Sequence, residues 1–498
     1  MYVPAWTYYV CKESNMDKSV GGFRSAFAER MRAFFMGRIY PVAVCLIVVI
    51  GYIFGLEFYL HLLNMALVIC ALMVCDSMRP VIVVLCTFVF QISKINSPAN
   101  YSPEPGGDTS SGYYFEGGRL VILIISFVLV FAAFVVFFVK NKLVNGRSLR
   151  ALPMLIPTGA LTLAFLMGGV FSGAWVGGSL GFSLIQIVCW FVIPYAFILG
   201  FKNERGEELL NYFVYVASLI VIVLLVELGY TYITTEGLVT SSGTFARWLF
   251  HYGWGNCNTA AQAFVVFIPV LFIGTRGGKM QIYYFAMATL AFVGAVLNVS
   301  RSAALVGGVA YFVCLIISFI FSKSKKRYIV EIALVIIGAA VALLLTWDTV
   351  SSALLNYVDR GTTDSGRFNI WKKGFSWFLE APVFGYGFFG DPETVFGATQ
   401  IDFLPNMMHN TVIQFLACFG IFGILAYGFY RLCSLRPFVR RPSYVKTMLG
   451  AALLTVLGGS LLDNFIFNIL PMFSYGVIVA VVYKLEAEEC GEKKFSLL

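Results

Sequence analysis

Charge is what this chain has least of. Lys, Arg, Asp and Glu make up 12% of its 498 residues, against about 25% in a soluble domain. With 59% apolar residues and a mean hydropathy of +0.83, that scarcity excludes an ordinary water-soluble fold. Histidine is rarer still: His61, His251 and His409 are all there is. Paired cysteines are missing in the pattern that matters. Most of the eleven lie inside apolar runs, where a thiol behaves as a small hydrophobe, and neither a disulfide framework nor a zinc spacing is present. No P-loop, Gly-x-Gly-x-x-Gly, Ser-His-Asp order or metal-ligand cluster occurs, so metal: none and cofactor: none is the expectation. The first 38 residues are polar and mildly basic, with no apolar core of a cleavable signal.

What is there is a long series of apolar runs. A membrane span needs roughly 20 apolar residues, and such runs give 14 candidates: 39–55, 58–75, 80–93, 119–139, 151–170, 180–200, 210–228, 259–274, 281–299, 302–321, 328–346, 408–429, 446–464 and 466–483. The fold class expected is all-α and polytopic, with residues 39–483 as one transmembrane bundle between a 1–38 segment and a 484–498 tail.

The net charge of +9 is no nucleic-acid signal, because the basic residues sit in short loops: 140–150, 322–327 and 431–441. That is the positive-inside pattern, and it puts both termini in the cytoplasm. Of the 35 Lys and Arg, only Lys94, Arg119, Arg247, Arg301, Arg360, Arg367, Lys372 and Lys373 then fall outside. The outer face carries loops 94–118, 229–258 and 347–407. Within the last, GRFNIWKKGFSWFLEA places Phe368, Trp371, Phe375, Phe378 and Leu379 at helical spacing, an amphipathic helix suited to a membrane interface. Asp364 or Ser365 is positioned to cap it. Arg367 then stands in its first turn, where the dipole favours phosphate.

Three outer arginines, Arg301, Arg367 and Arg247, are candidates to converge on a diphosphate, for which the planar guanidinium is matched. The plainer alternative is an interfacial anchor that snorkels to lipid phosphates. His409 stands at a water-facing lip, and its neutral imidazole can accept a proton. Asn410 beside it is suited to orient it or to bind a sugar hydroxyl. Gly420 and Gly423 read as packing positions that let neighbouring helices approach. Asp463, acidic at membrane depth, is a functional candidate or an arginine's partner. His61 reads as a core histidine.

Taken in order, SRSA (300–303), GRFNIWKKG (366–374), APVFGYGFFG (381–390) and MHNTVIQFLACFGIFG (408–423) form a pattern. It resembles the O-antigen ligase and O-antigen polymerase (Wzy-type) superfamily. The matching elements are Arg367 with Trp371; Pro382, Gly385 and Gly387; His409-Asn410; then Gly420 and Gly423. GWGNCNTAA (253–261), with Asn256, is similar to a weaker signature of that family. The resemblance covers about residues 250–430.

It implies a GT-C-like bundle and a metal-independent glycosyltransferase of the bacterial inner membrane, acting at its outer face on an undecaprenyl-diphosphate-linked glycan. It implies that Arg301 and Arg367 hold the donor diphosphate and that His409 attends the acceptor hydroxyl. Arg247, Asn410, Trp371, Asn256 and Asp463 are the expected substrate-binding set. Expected partners are the lipid-linked donor and acceptor, membrane lipids, and a chain-length regulator and flippase of the same pathway, with no nucleic acid. Fourteen spans and two long outer loops lean towards a polymerase. A ligase acting on lipid A-core or protein is the alternative, and a transporter a more distant one, since midplane repeats and broken helices are not visible.

Overall fold

A computed structural model describes residues 21–91, 118–144, 152–171, 177–238, 257–345, 366–388, 408–467 and 469–489, with residues 347, 351 and 355 singly. Among them there is no strand. The helices are α1 (Gly21–Met36), α2 (Ile39–Phe54), α3 (Glu57–Val74), α4 (Val81–Gln91), α5 (Gly118–Lys140), α6 (Leu155–Val170) and α7 (Gly177–Ile187). A π-helical turn, Val188–Val192, joins α7 to α8 (Ile193–Gly200). Then come α9 (Gly206–Thr234), α10 (Cys257–Ile273), α11 (Gln281–Leu297), α12 (Arg301–Phe321), α13 (Lys325–Leu345) and α14 (Arg367–Glu380). The chain closes with α15 (Thr411–Arg440), α16 (Tyr444–Leu462) and α17 (Ile469–Glu489).

Helix occupies each of the fourteen expected segments. Among the described residues, eight helices are long and apolar enough to cross a membrane, or nine if the bent pair α1–α2 forms one span. α6 and α11 are apolar but shorter. The bundle is therefore a membrane protein's. α10 sits at its centre: nearly every residue from Thr259 to Phe272 is buried, as an all-apolar helix requires. α5 and α12 instead turn rows of Ile, Val, Leu and Phe outward, the state expected of a lipid-facing surface.

Two features depart from expectation. The segment before residue 39 is helical from Gly21 and bends by 66° into α2. The bend falls at Gly37, where a Cβ would lie 2.8 Å from the Ala33 carbonyl oxygen. Second, α15 runs on to Arg440, so Arg431 lies inside the bundle instead of in a basic loop. Its guanidinium is enclosed by Trp190, on the π-helical turn, Tyr427 and Tyr475, with ring centroids 4.7, 4.8 and 5.2 Å away.

Candidate functional site at one end of the bundle

Three helix termini meet at one end: the starts of α10 and α15 and the finish of α16. α15 begins where it does because Asn410 caps it. The Asn410 Oδ1 accepts from the Val412 and Ile413 backbone N–H groups at 2.9 and 3.2 Å, satisfying two otherwise orphaned donors. Its Nδ2 donates to the Leu461 carbonyl at 3.0 Å, and Thr411 Oγ1 donates to the Ser460 carbonyl at 2.9 Å. These bonds pin the start of α15 to the end of α16. Both polar ends of Asn410 thereby help to build the site.

The residue before it, His409, is held at φ 49°, a left-handed conformation uncommon for anything but glycine. That turn aims the imidazole at Asp463, and Nδ1 lies 2.8 Å from Asp463 Oδ1. Asp463 follows the last residue of α16 in extended conformation and is 9% exposed. Its carboxylate has further donors about it. Oδ1 also accepts from the Asn464 N–H at 3.1 Å, Oδ2 accepts from Asn258 Nδ2 at 3.1 Å, and Arg367 Nη2 is 4.0 Å from Oδ2. Where the carboxylate accepts in this pair, the His409 Nδ1–H is the donor. Gln414, fully buried, supports this from below. Its Oε1 accepts from the Met408 N–H and from Asn464 Nδ2, both at 2.7 Å.

Arg367 arrives on α14, which begins after Gly366 at φ 76°. Asp364 and Ser365, the expected caps, lie outside the described residues. α14 packs on the start of α15 through Ile370, Gly374 and Trp377, with Met408, Ile413 and Ala417 opposite. A Cβ at Gly374 would fall 2.7 Å from Ile413 Cγ2 and 2.9 Å from Met408 Sδ, so glycine sets how near α14 can lie. Phe368, Phe375 and Leu379 stay exposed on the other side, the amphipathic pattern the sequence predicts. Trp371 stands one turn after Arg367, edge-on to Phe368 at 5.3 Å. Its buried indole N–H has no hydrogen-bond partner.

The two glycine motifs lock together. α15 breaks at Gly420 (φ 60°, ψ −155°), and the strand of chain at 382–387 enters the gap. Tyr386 and Gly387 donate to the Ala417 and Cys418 carbonyls at 2.8 and 2.9 Å; Ile421 and Phe422 donate to the Pro382 and Val383 carbonyls at 2.8 and 3.1 Å. A Cβ at Gly420 would stand 2.5 Å from the Pro382 oxygen, and one at Gly385 2.3 Å from the Cys418 carbonyl carbon. Gly420 thus admits a loop, where helix-to-helix packing was expected. Gly423 is narrower in scope: a Cβ there would meet Phe419 of its own helix at 2.1 Å.

Arg301 opens α12 behind a tight turn with Val299 at φ 54° and Ser300 as N-cap. α12 and α16 run antiparallel, and a Cβ at Gly458 would lie 3.6 Å from Val306 Cγ1. α12 therefore starts, at Arg301, toward the end of the bundle where α16 finishes. Arg247 and Asn256 lie outside the described residues. What the sequence reading passed over is Asn258, two residues along from the asparagine it chose, and Gln414. Asn258 lay within the quoted GWGNCNTAA signature, so a signal existed.

The arrangement sets an imidazole on a carboxylate with a guanidinium beside it at one end of an apolar bundle, groups that can move a proton and meet an anion. Residues 285–428, from within α11 to within α15, match the family model described as O-Antigen ligase, which supports the resemblance to the O-antigen ligase and polymerase superfamily. No curated protein matches the chain. The matched stretch holds Arg301, Arg367 and His409, while Asp463 and Asn258 reach the site from beyond it.

Proposed function

We propose that this protein transfers a glycan from an undecaprenyl-diphosphate donor to a sugar hydroxyl, by inverting displacement, at the outward face of a bacterial inner membrane. In this reading the hydroxyl belongs to a second lipid-linked repeat unit, so that the reaction lengthens a surface polysaccharide. The observation that carries the transfer chemistry is the convergence of His409, Asp463 and Arg367.

The steps follow from the groups present. His409 Nε2 takes the acceptor hydroxyl proton as the oxygen attacks the anomeric carbon. Asp463 holds the Nδ1–H and offsets the imidazolium charge that forms. The bond from the anomeric carbon to the diphosphate oxygen breaks, and the charge developing on the leaving diphosphate is met by Arg367 and Arg301. The exposed apolar residues of α14 rest on the bilayer, beside the donor's polyprenyl tail.

A ligase is the second reading, and the family match is compatible with either. The span count that leaned to a polymerase loses force, with eight helices among the described residues long and apolar enough to cross. Purified protein supplied with undecaprenyl-diphosphate repeat units alone separates the two. Lengthened lipid-linked chains support the polymerase. Transfer that waits for added lipid A-core or an acceptor protein overturns it in favour of the ligase, and no transfer under either condition overturns both.

A further inference from the structure

The site's charge is concentrated on one carboxylate that serves two masters. Asp463 Oδ1 faces His409 at 2.8 Å and Oδ2 faces Arg367 at 4.0 Å. Under the transfer reading these have different fates. Arg367, 30% exposed and at the limit of an ion pair, turns to the donor diphosphate, which offers more negative charge than one carboxylate. His409 must keep its partner throughout. Oδ2 then loses its cation, and a carboxylate held on one side only is free to rotate about its terminal bond, which is broad and soft.

The donor that stays is Asn258. Its Nδ2 lies 3.1 Å from Oδ2 and comes from the first turn of α10, the most enclosed helix of the bundle. One turn further along that helix, Gln262, fully buried, donates to the Thr455 carbonyl of α16 at 3.1 Å. A Cβ at Gly459 would come within 2.6 Å of Gln262 Oε1, so the helices touch directly between these two bonds. Asn258 and Gln262 therefore form one stripe, four residues apart, that clamps the end of α16. An amide suits the outer position for a further reason. A Lys or Arg there would draw charge from His409 and compete for the diphosphate, whereas a neutral donor fixes the oxygen and leaves the anion's charge available.

We propose that Asn258 is a positioning residue for the transfer reaction: it holds Asp463 Oδ2 so that Oδ1 stays on His409 while Arg367 is released to the donor. The inference rests on the functional reading above, and its test separates the two. Full-length protein in lipid nanodiscs is assayed with undecaprenyl-diphosphate-linked repeat units, plus acceptor where one is needed. Asn258→Ala lowers kcat about ten-fold, the usual loss when the residue orienting a site group is removed, and leaves KM for the donor within about two-fold. In an Asp463→Asn background the same substitution costs nothing further, because its effect passes through Asp463. Equal losses in the two backgrounds, or an unchanged kcat, overturn the proposal.

A substrate-free measurement stands beside these. Modification of His409 by diethyl pyrocarbonate, followed by mass spectrometry, slows several-fold in Asn258→Ala as Nδ1 loses its fixed partner. An unchanged rate overturns the positioning role. Should the alanine variant fail to accumulate, Asn258→Leu, which is similar in shape and has no donor, gives the same readouts. Wild-type protein that transfers no glycan overturns the functional reading alone, since the His409 modification rate still decides the role of Asn258.

Discussion

The two ends of α15 each place a charged or ionisable group in an apolar setting, and they solve the problem in opposite ways. At its start, His409 and the neighbouring Arg367 face Asp463, a carboxylate fed by donors from α10, the α16–α17 connection and α15's own approach. Near its finish, Arg431 is buried among aromatic faces that surround the guanidinium, and among the described residues its Nε and Nη2 make no hydrogen bond. A cation over several aromatic rings is stabilised by their quadrupoles, roughly 2 kcal/mol or more when desolvated. That arrangement is closed, has no open coordination for a ligand, and reads as architecture. The site end is the reverse: half-exposed, with an imidazole, a guanidinium and two amide donors arranged about one carboxylate. Chemistry belongs where partners can be exchanged.

The contrast is best broken at the site. His409→Ala, Arg367→Ala and Asp463→Ala are each expected to lower glycan transfer by a factor of about 100 or more, with protein still in the membrane. Electrophoresis of the lipid-linked product checks this; an active His409→Ala would remove the imidazole from the reaction. On the proposed reading, in which arginines meet the leaving-group charge, transfer is expected to persist in EDTA, and loss of activity on chelation would overturn that assignment.

Next in size is the lock between them. Gly420→Ala forces a side chain into a left-handed backbone position against the Pro382 carbonyl, a strain of about 1–3 kcal/mol before the collision is counted. The expected outcome is a marked fall in the amount of folded protein, read by fluorescence-detected size exclusion. At the aromatic box, Arg431→Ala is expected to lower the melting temperature by several degrees, roughly 2–4 kcal/mol of lost packing and cation–π contact. Arg431→Met, which fills similar volume with no charge to bury, is expected to recover most of it. The surviving protein should transfer glycan at an ordinary rate in both variants, which a catalytic role for Arg431 would contradict.

The smallest effect is at the rim. Tyr386 donates to Glu380 Oε2 at 2.6 Å, and this bond to the carboxylate holds its hydroxyl above the ordinary phenol value of 10.0. A group raised on folding adds stability below its unfolded value and loses it only as pH climbs through the folded one. Tyr386→Phe is therefore expected to cost little, and equally at every pH from about 6 to 9. A pH-dependent difference in melting temperature across that range would show that some other titration governs the α14 contact.

How much of this was legible beforehand differs residue by residue. Arg367 and His409 stood out because each is a polar group at the border of an apolar run, and such groups are costly unless used. Asp463 stood out for the same reason, but its partner did not, since 54 residues separate it from His409 and nothing in either stretch names the other. The glycines were read as sites of close approach, which holds for Gly420, yet what approaches is a loop from the preceding motif, and Gly423 answers to its own helix. Arg431 was assigned to a cytoplasmic loop because basic residues cluster there; only the continuation of α15 and the ring of aromatics around it place it inside.

The sequence by itself determined that the chain is helical and built for a membrane, because in lipid every backbone polar group must be met within its own helix, and the apolar runs are long enough to do so. It also determined where the chemistry-bearing side chains could be, since composition makes each one conspicuous. Tertiary structure decided which of them meet. Hydrogen bonds of about 3 Å depend on the register of α10, α15 and α16 against one another, and that register is fixed by glycine contacts and buried amides whose partners lie far away along the chain.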